Sequence, residues 1–168
     1  MKSNYHKPET QPSLLTEDSY PSPQLIEQAW ETFRAFLKER GDRITETRQI
    51  VLAKSLARKD HFQADDLATE LARGRNRVSR GTVYRTLALL VEAGILREIR
   101  DHDTHAHYEP LFGRIPHEHM ICDKCGQFIE FVDDNLLEHI REACEAQKFS
   151  PRTHHVTIFG LCENCQKK

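Results

Sequence analysis

The sequence predicts an α+β protein made of two units, an N-terminal winged helix and a smaller α/β unit held by a structural zinc ion. Three observations lead to this prediction. Apolar residues recur at helical spacing up to Gly94. Directly after Gly94 the period changes to that of short strands. Two Cys-x-x-Cys pairs then stand in the last third of the chain.

The first expected element is a helix that follows a flexible tail. Residues 1–23 hold four of the seven prolines, few large apolar residues and no period, so we interpret them as the tail. The helix should begin near Gln24 and end at the stop signal Gly41. Its inward face is expected to consist of Leu25, Ile26, Ala29, Trp30, Phe33, Phe36 and Leu37.

Three more helices and a hairpin complete the first unit. The helices are expected at residues 46–56, 64–72 and 80–93, with Thr45 and Ser79 as N-caps of the first and last of them. Two strands, residues 95–100 and 105–109, should flank a polar turn at residues 101–104. This order of helices followed by a hairpin is the winged-helix pattern.

A hinge at residues 110–113 should lead into the second unit, so the predicted domains are residues 24–110 and 111–168. The second unit is expected to contain a strand at 128–132, a helix at 134–147 and a strand at 154–161. So small a unit needs a metal or a partner to be stable. Cys144 lies on the apolar face of the helix, and we interpret it as a small core residue.

The composition indicates a soluble protein that remains in the cytoplasm. No apolar run approaches the roughly 20 residues that span a bilayer, and the N-terminus has no apolar segment typical of a secretory signal. The net charge of the 168 residues is only −2, yet residues 73–85 contain five arginines and no acid. A local basic patch suits nucleic-acid contact, and the alternative is a solvated charged loop.

The two cysteine pairs, Cys122–Cys125 and Cys162–Cys165, predict a structural zinc site. Two intervening residues allow a tight turn to direct both sulfurs at one ion, and four thiolates close a tetrahedral Zn²⁺ site. The alternative is a redox pair, which normally opens a helix. Both pairs are expected at strand ends here, which favours zinc.

A second group of metal-binding side chains concentrates where the two units meet. Imidazole and carboxylate together suit Fe²⁺, Zn²⁺, Mn²⁺ or Co²⁺. The alternative is a set of surface or hydrogen-bonded histidines. The residues are His61, His105, His107, Glu109, His117, His119 and Glu130.

Four motifs then give a resemblance to the ferric uptake regulator family. They are Gly-Thr-Val-Tyr-Arg at 81–85, Glu-Ala-Gly-Ile at 92–95, His-x-His-Met-Ile-Cys-x-x-Cys-Gly at 117–126 and Gly-Leu-Cys-x-x-Cys at 160–165. The chain resembles this family from about Gly41 to its end. In the family a winged-helix domain binds DNA and a small α/β domain forms the dimer interface. The resemblance implies a homodimer on a double-stranded, A·T-rich palindromic operator, with no membrane partner.

The resemblance also implies two metal sites and leaves a third in doubt. The structural Zn²⁺ ligands fall on the four paired cysteines. The third site is matched by Glu118 and His154 alone, because Pro116 and Leu137 replace its other ligands. The regulatory ligands, which bridge the two domains, fall on His61, Glu109, His117, His119 and Glu130.

The DNA contacts implied by the resemblance lie at two places in the first unit. Tyr84 and Arg85 match the recognition helix in the major groove. Arg43 is a candidate for minor-groove insertion. The full implied set is Arg43, Arg48, Ser79, Arg80, Thr82, Tyr84 and Arg85.

The sequence therefore predicts a metal-responsive repressor that senses Fe²⁺ to control iron-uptake genes, with Zn²⁺ or Mn²⁺ as substitutes. A peroxide sensor of the same family uses aspartates where this chain has Glu109 and Glu130. A zinc sensor brings a cysteine into its regulatory site. From other classes, a metalloenzyme and a zinc-stabilised interaction module are the alternatives, although no phosphate loop, HExxH or nucleophile–base motif is present.

Overall fold

The computed structural model describes residues 21–74, 77–101, 105–151 and 153–167. Most of the predicted tail, residues 1–20, and residues 102–104 of the predicted turn lie outside the described residues. The fold is α+β, as predicted, with helices and two three-stranded sheets. None of the described helices is long and apolar enough to cross a membrane.

Three of the four helices of the first unit begin where a hydroxyl side chain caps them, whereas the helix at Ala64–Arg73 follows Gln63, whose side chain makes no capping hydrogen bond. Ser22, Thr45 and Ser79 each accept a hydrogen bond from a backbone N–H of the first turn. Such a cap typically contributes about 1 kcal/mol. The helices, each within about one residue of its prediction, are α1 (Pro23–Arg40), α2 (Glu46–Leu56), α3 (Ala64–Arg73) and α4 (Arg80–Glu92).

These helices enclose the main apolar core. Phe33 and Leu37 of α1, Leu52 of α2, and Leu87 and Leu90 of α4 are completely buried. Full burial of one such side chain contributes about 1.5–3 kcal/mol. The first unit is therefore stabilised by its own interior.

An antiparallel sheet of order β1-β3-β2 lies against this core. The predicted hairpin is present, and its register places Arg97 opposite Glu109. The first strand was not predicted, because two residues are too short to show an alternating pattern. Its pairing with β3 brings His61, the residue before it, beside the hairpin. The strands are β1 (Phe62–Gln63), β2 (Leu96–Arg100) and β3 (Ala106–Pro110).

The second unit has a sheet of order β5-β4-β6, in which β4 pairs antiparallel with β5 and parallel with β6. Strand β4 and helix α6 were not predicted, and β6 is shorter than the predicted strand at 154–161. The elements are β4 (Glu118–Cys122), β5 (Phe128–Phe131), α5 (Asp134–Ala146), β6 (Thr157–Gly160) and α6 (Glu163–Gln166).

Helix α5 differs from the prediction in its burial. No residue of this helix is buried in the described part of the chain. Cys144 is only half-buried, so its interpretation as a core residue is wrong for the single chain. The reason is that no other described element packs closely enough over the apolar face of α5 to cover it.

Candidate metal centres and nucleic-acid interface

The four paired cysteines converge on one point. Cys122 ends β4, Cys125 follows in a turn closed by Gly126 with φ of 70°, and Cys162 and Cys165 come after β6. All four sulfurs lie within 4.8 Å of one another. The Sγ atoms of Cys125 and Cys162 are 3.8 Å apart. Four sulfurs about 2.3 Å from a tetrahedral Zn²⁺ lie about 3.8 Å from each other, so these residues fit zinc.

The backbone around this cluster favours a thiolate. The N–H of Cys162 donates to Sγ of Cys122 at 3.3 Å. This bond and one from the N–H of Cys125 lower the pKa of Cys122 to about 6. The pKa of Cys165 is raised, first by its hydrogen bond with Cys162. Crowded sulfurs resist further ionisation unless a cation balances their charge.

The surroundings of the second cysteine pair correct one argument made from the sequence. Cys162 lies two residues after the end of β6, as expected, but it is also the N-cap of the short helix α6, so this pair opens a helix as well. Strand context therefore argues against a redox pair only for Cys122 and Cys125. The convergence of all four sulfurs is now the stronger reason to favour zinc.

The second cluster is centred on the carboxylate of Glu109. Its Oε2 lies 3.0 Å from Nε2 of His117, 3.3 Å from Nε2 of His61 and 3.5 Å from Nε2 of His119. Ligand atoms of His61, Glu109, His119 and Glu130 all lie within 4.8 Å of one another. His117 is outside that group of four but is 3.8 Å from Oε1 of Glu130. Mixed imidazole and carboxylate donors at these separations fit a divalent transition-metal ion.

These residues come from both units. His61 precedes β1 and Glu109 lies on β3, both in the first unit. His117 precedes β4, His119 lies on β4, and Glu130 is opposite His119 on β5. The cluster therefore bridges the two sheets, and His61 and His119 are in direct contact with 2.8 Å between their Nε2 atoms.

Burial and hydrogen bonding shift the pKa values of this cluster in opposite directions. Burial alone raises the pKa of Glu109, but hydrogen bonds from His117, His119 and His61 and the charge of Arg97 outweigh it and hold that pKa far below its usual range. Burial lowers the pKa of His119. Burial is also the largest single influence on His117 and lowers its pKa, but the hydrogen bonds to Glu109 and Ile115 and the nearby carboxylate charges together outweigh burial, so that pKa is raised. The carboxylate is thus ionised and available to a cation.

Two residues of this cluster were missed by the sequence analysis. Arg97 is 6% exposed, and its guanidinium donates to Oε1 of Glu109. Phe128 stacks on the ring of His61 with 4.3 Å between centroids. An arginine in a strand and an aromatic residue after a cysteine pair carry no local signal of metal chemistry. The only signal was the hairpin register, which places Arg97 opposite Glu109.

The other predicted histidines lie outside this cluster. His107 is 3.0 Å from Oδ2 of Asp101, and His105 is 3.4 Å from the same oxygen. His154 is 3.0 Å from Oε1 of Glu118, the pair that the doubtful third site requires. In the described ranges no third metal-binding side chain groups with that pair. The second oxygen of Glu118 accepts from the N–H of Val156 at 2.7 Å.

Helix α4 presents the predicted DNA-reading residues to solvent. Arg80 and Arg85 are exposed, and the side chain of Tyr84 is 39% exposed, which excludes it from the core. Asp65 of α3 contacts two of these residues: it forms an ion pair with Arg80 at 2.6 Å and accepts a hydrogen bond from the Tyr84 hydroxyl. The guanidinium of Arg80 also lies over the ring of Tyr84. An acidic residue is therefore part of this basic face.

The remaining predicted DNA contacts lie near helix starts. Ser79 caps α4, and its hydroxyl is 2.8 Å from that of Thr82. Arg43 is exposed in the loop before α2. Arg48 is more confined, since it pairs with Asp42 at 3.3 Å and donates to the carbonyl of Arg43. Arg43 is thus free to reach outward, whereas Arg48 supports the loop.

Comparisons with known proteins agree on one family. The model of the ferric uptake regulator family matches residues 39–159. The ferric uptake regulation protein of Synechococcus elongatus is 34% identical over 138 residues, 81% of this chain and 94% of that protein. The peroxide-responsive repressor PerR of Staphylococcus aureus is 31% identical over 143 residues, 85% of this chain and 95% of that protein. The structure of the Helicobacter pylori ferric uptake regulator Fur, at 22% identity, superposes with a TM-score of 0.69 over 85% of this chain and 95% of that one.

Proposed function

Because the chain belongs to the ferric uptake regulator family, we propose that it is a metal-responsive transcriptional repressor that binds DNA as a homodimer. The family consists of transcription regulators, so we propose no enzymatic activity. We further propose a cytoplasmic location, a DNA-binding domain at residues 24–110 and a dimerisation domain at residues 111–168. A structural Zn²⁺ is assigned to Cys122, Cys125, Cys162 and Cys165.

The observation that carries this proposal is the origin of the second cluster. Its five ligands, His61, Glu109, His117, His119 and Glu130, come from both units and meet around one carboxylate oxygen. A divalent cation bound there would supply a positive charge that all five donors share. Because His61 and Glu109 belong to the DNA-binding unit, their shared coordination with β4 and β5 holds the two units at one separation.

The separation of the two units affects DNA binding because the protein binds DNA as a dimer. Two recognition helices read successive half-sites only when they stand at the half-site spacing. Residues that hold both units of each chain together therefore raise operator affinity by favouring the conformation in which that spacing is met. A coupling of about 1–3 kcal/mol, or 5–150-fold in affinity, is typical of such linkage.

The dimer is supported by the surface of the second unit. Ile158, Phe159 and Leu161, near the end of the chain, are 46–48% exposed, and α5 has no buried residue. Exposed apolar surface of this kind marks an interaction site. A second copy of the chain would cover it.

The DNA surface is supported by the exposed side chains at the start of α4. Arg80, Tyr84 and Arg85 are exposed on one helix, and Arg43 is exposed beside α2. Arginine pairs with guanine or phosphate, tyrosine contacts thymine methyl groups, and an arginine suits a narrow A·T-rich minor groove. We therefore propose an A·T-rich palindromic operator.

We propose Fe²⁺ as the sensed ion and iron-uptake genes as the target, with Zn²⁺ or Mn²⁺ able to occupy the same ligands. The second candidate is a peroxide sensor, because the chain is 31% identical to the peroxide-responsive repressor of Staphylococcus aureus. Against it, Glu109 and Glu130 stand where peroxide sensors carry aspartates. A zinc sensor is less favoured, because no cysteine is among the five proposed ligands.

The test compares operator binding with and without metal in ligand variants. Protein that retains its thiolate-bound Zn²⁺ is titrated onto a labelled A·T-rich palindrome by fluorescence anisotropy, before and after addition of Mn²⁺. We expect Mn²⁺ to raise the affinity of the wild type severalfold to a hundredfold. His117→Ala and Glu130→Ala should lose this gain, whereas His139→Ala, an exposed histidine of α5, should keep it. An unchanged metal dependence in both ligand variants contradicts the proposal.

A second experiment separates iron sensing from peroxide sensing. The protein is loaded with Fe²⁺ under anaerobic conditions and then exposed to hydrogen peroxide. An iron sensor should keep His61 and His117 intact at peroxide levels that leave the rest of the chain unmodified. Selective oxidation of either histidine, detected by mass spectrometry, favours the peroxide sensor instead.

A further inference from the structure

Arg97 occupies an unusual place beside the proposed regulatory ligands. It lies on β2 of the first unit, and only 6% of the residue is exposed. Its Nε donates to Oε1 of Glu109, while its Nη2 donates to the carbonyl of His117 at 3.0 Å and to Nδ1 of His119 at 3.2 Å. A buried cation from the first unit thus contacts three of the ligand residues, two of them in the second unit.

The contact with His119 determines which ring nitrogen carries the proton. A guanidinium has donors only, so Nδ1 of His119 must accept and cannot hold a proton. The proton of a neutral His119 ring is then on Nε2, the atom that faces His61 and Glu109. A neutral histidine that binds a metal through Nε2 keeps its proton on Nδ1. The Arg97–His119 bond and metal binding by His119 therefore exclude each other.

The positive charge of Arg97 also opposes the binding of a cation at this site. Glu109 is fully buried, and its two oxygens serve different partners: Oε1 faces Arg97 and Oε2 faces the histidines. A cation at Oε2 would share this single carboxylate with the guanidinium. Like charges close together in a buried site repel more strongly than in water.

The structure also provides space into which Arg97 can move. A cavity of about 420 Å³ is lined by Arg97 itself and by residues that include Glu92, Glu98 and His155. Two carboxylates border this space, and a displaced guanidinium would share them with Arg40 and Arg100, which already pair with Glu92 and Glu98. Rotation of the Arg97 side chain toward this space would release His119.

We propose that Arg97 is a built-in competitor of the regulatory cation, which sets the concentration at which the site fills to a higher value than the five ligands alone would give. The inference rests on the proposed function for the identity of the site. Its test measures cation binding without DNA, so that its failure is distinguishable from a failure of metal-dependent repression.

The first measurement is the affinity for Mn²⁺, followed by the electron paramagnetic resonance signal of the free ion. Mn²⁺ prefers nitrogen and oxygen donors and leaves the thiolate-bound Zn²⁺ in place. Arg97→Met keeps an unbranched apolar stem but removes the guanidinium, with its charge and its donors. Loss of a residue that supports a metal ligand typically lowers metal affinity about 10–100-fold. Loss of a competitor acts in the opposite direction, and we expect Arg97→Met to bind Mn²⁺ about 10-fold more tightly. Arg34→Met, which removes an exposed arginine that pairs with Glu31 on its own helix α1, should leave the affinity unchanged.

Weaker or unchanged Mn²⁺ binding by Arg97→Met overturns the proposal, and weaker binding would make Arg97 a positioning residue for Glu109.

A second measurement uses the wild-type protein and needs no variant. Long-range ¹H–¹⁵N spectra of the wild-type histidine rings should show His119 protonated at Nε2 before one equivalent of Zn²⁺ is added and at Nδ1 afterwards. A proton on Nδ1 before the addition also overturns it.

Discussion

The two units of this protein are stabilised in different ways. The winged helix has an interior of completely buried side chains, among them Phe33, Leu37 and Leu87. The second unit has a helix without a buried residue and a strand, β6, whose apolar residues Ile158 and Phe159 are 47% and 46% exposed. The first unit therefore resembles a domain that folds on its own, whereas we expect the second to need its metal and a partner.

This difference also separates the roles of the two units. A packed interior holds α4, the proposed recognition helix, rigidly, since close-packed cores transmit rather than absorb strain. The second unit supplies three of the five proposed regulatory ligands, from β4, β5 and the residues just before β4. A signal that changes the second unit can therefore reposition the first as one body without deforming it.

The largest expected effect is the loss of the zinc site. Cys125→Ser should remove the bound zinc and unfold the second unit, because structural zinc contributes about 10–16 kcal/mol of folding free energy in small zinc domains. Zinc content per chain and the dispersion of backbone amide signals measure the two effects. Cys144→Ser, which changes the unpaired cysteine of α5, should leave both unchanged. A Cys125→Ser protein whose second unit stays folded would show that this unit does not depend on zinc.

The next largest effect is expected from the packed core. Leu87→Ala should lower the free energy of unfolding of the first unit by about 2–5 kcal/mol, as truncation of a buried leucine usually does. The matched change Leu137→Ala in the half-buried face of α5 should cost less than about 1.5 kcal/mol within one chain. Urea unfolding followed by Trp30 fluorescence measures the first unit, and the loss of folded-state backbone amide signals of the second unit in the same titration measures the effect of Leu137→Ala. Equal losses in the two variants would contradict the contrast between the units.

A charge on the exposed sheet should break the proposed dimer. Ile158→Glu introduces a carboxylate where two apolar surfaces would meet, and its burial without a partner costs several kcal/mol. We expect the dissociation constant of the dimer to rise at least about 100-fold, equivalent to about 2.7 kcal/mol, as measured by analytical ultracentrifugation. Ile44→Glu, an equally exposed isoleucine of the first unit at 47%, should remain dimeric. If both variants stay dimeric, the interface lies elsewhere.

The smallest effect concerns the surface of the packed unit. Asp65→Asn should release Arg80 and Tyr84 and remove a negative charge from the DNA face, which we expect to strengthen operator binding about threefold. An exposed pair of this kind contributes only about 0.2–1 kcal/mol. Anisotropy titrations at saturating Mn²⁺ test this, with Asp66→Asn as the control of equal charge on the next residue. Weaker binding by Asp65→Asn would mean that Asp65 positions the reading residues.

Local signals account for the parts of the fold that were predicted correctly. The caps Thr45 and Ser79 and the apolar period between them act over a few residues, so the bounds of α2, α3 and α4 could be predicted within about one residue. The four paired cysteines were recognisable because each pair is close in sequence. Strand β1 escaped prediction because its two residues become a strand only through pairing with β3.

By itself the sequence predicted which residues bind metal: four cysteines, three histidines and two glutamates. Six of the nine stand in the motifs of one family, and His61, Glu109 and Glu130 lie outside those motifs. Only the tertiary structure decided that Arg97 and Phe128 share the second cluster, that Cys162 opens a helix and that α5 lies uncovered. The physical reason is the distance along the sequence over which each interaction acts. Ligand chemistry and capping are properties of neighbouring residues, whereas a hydrogen bond from β2 to β4, or the burial of a helix face, depends on how segments distant in sequence come together.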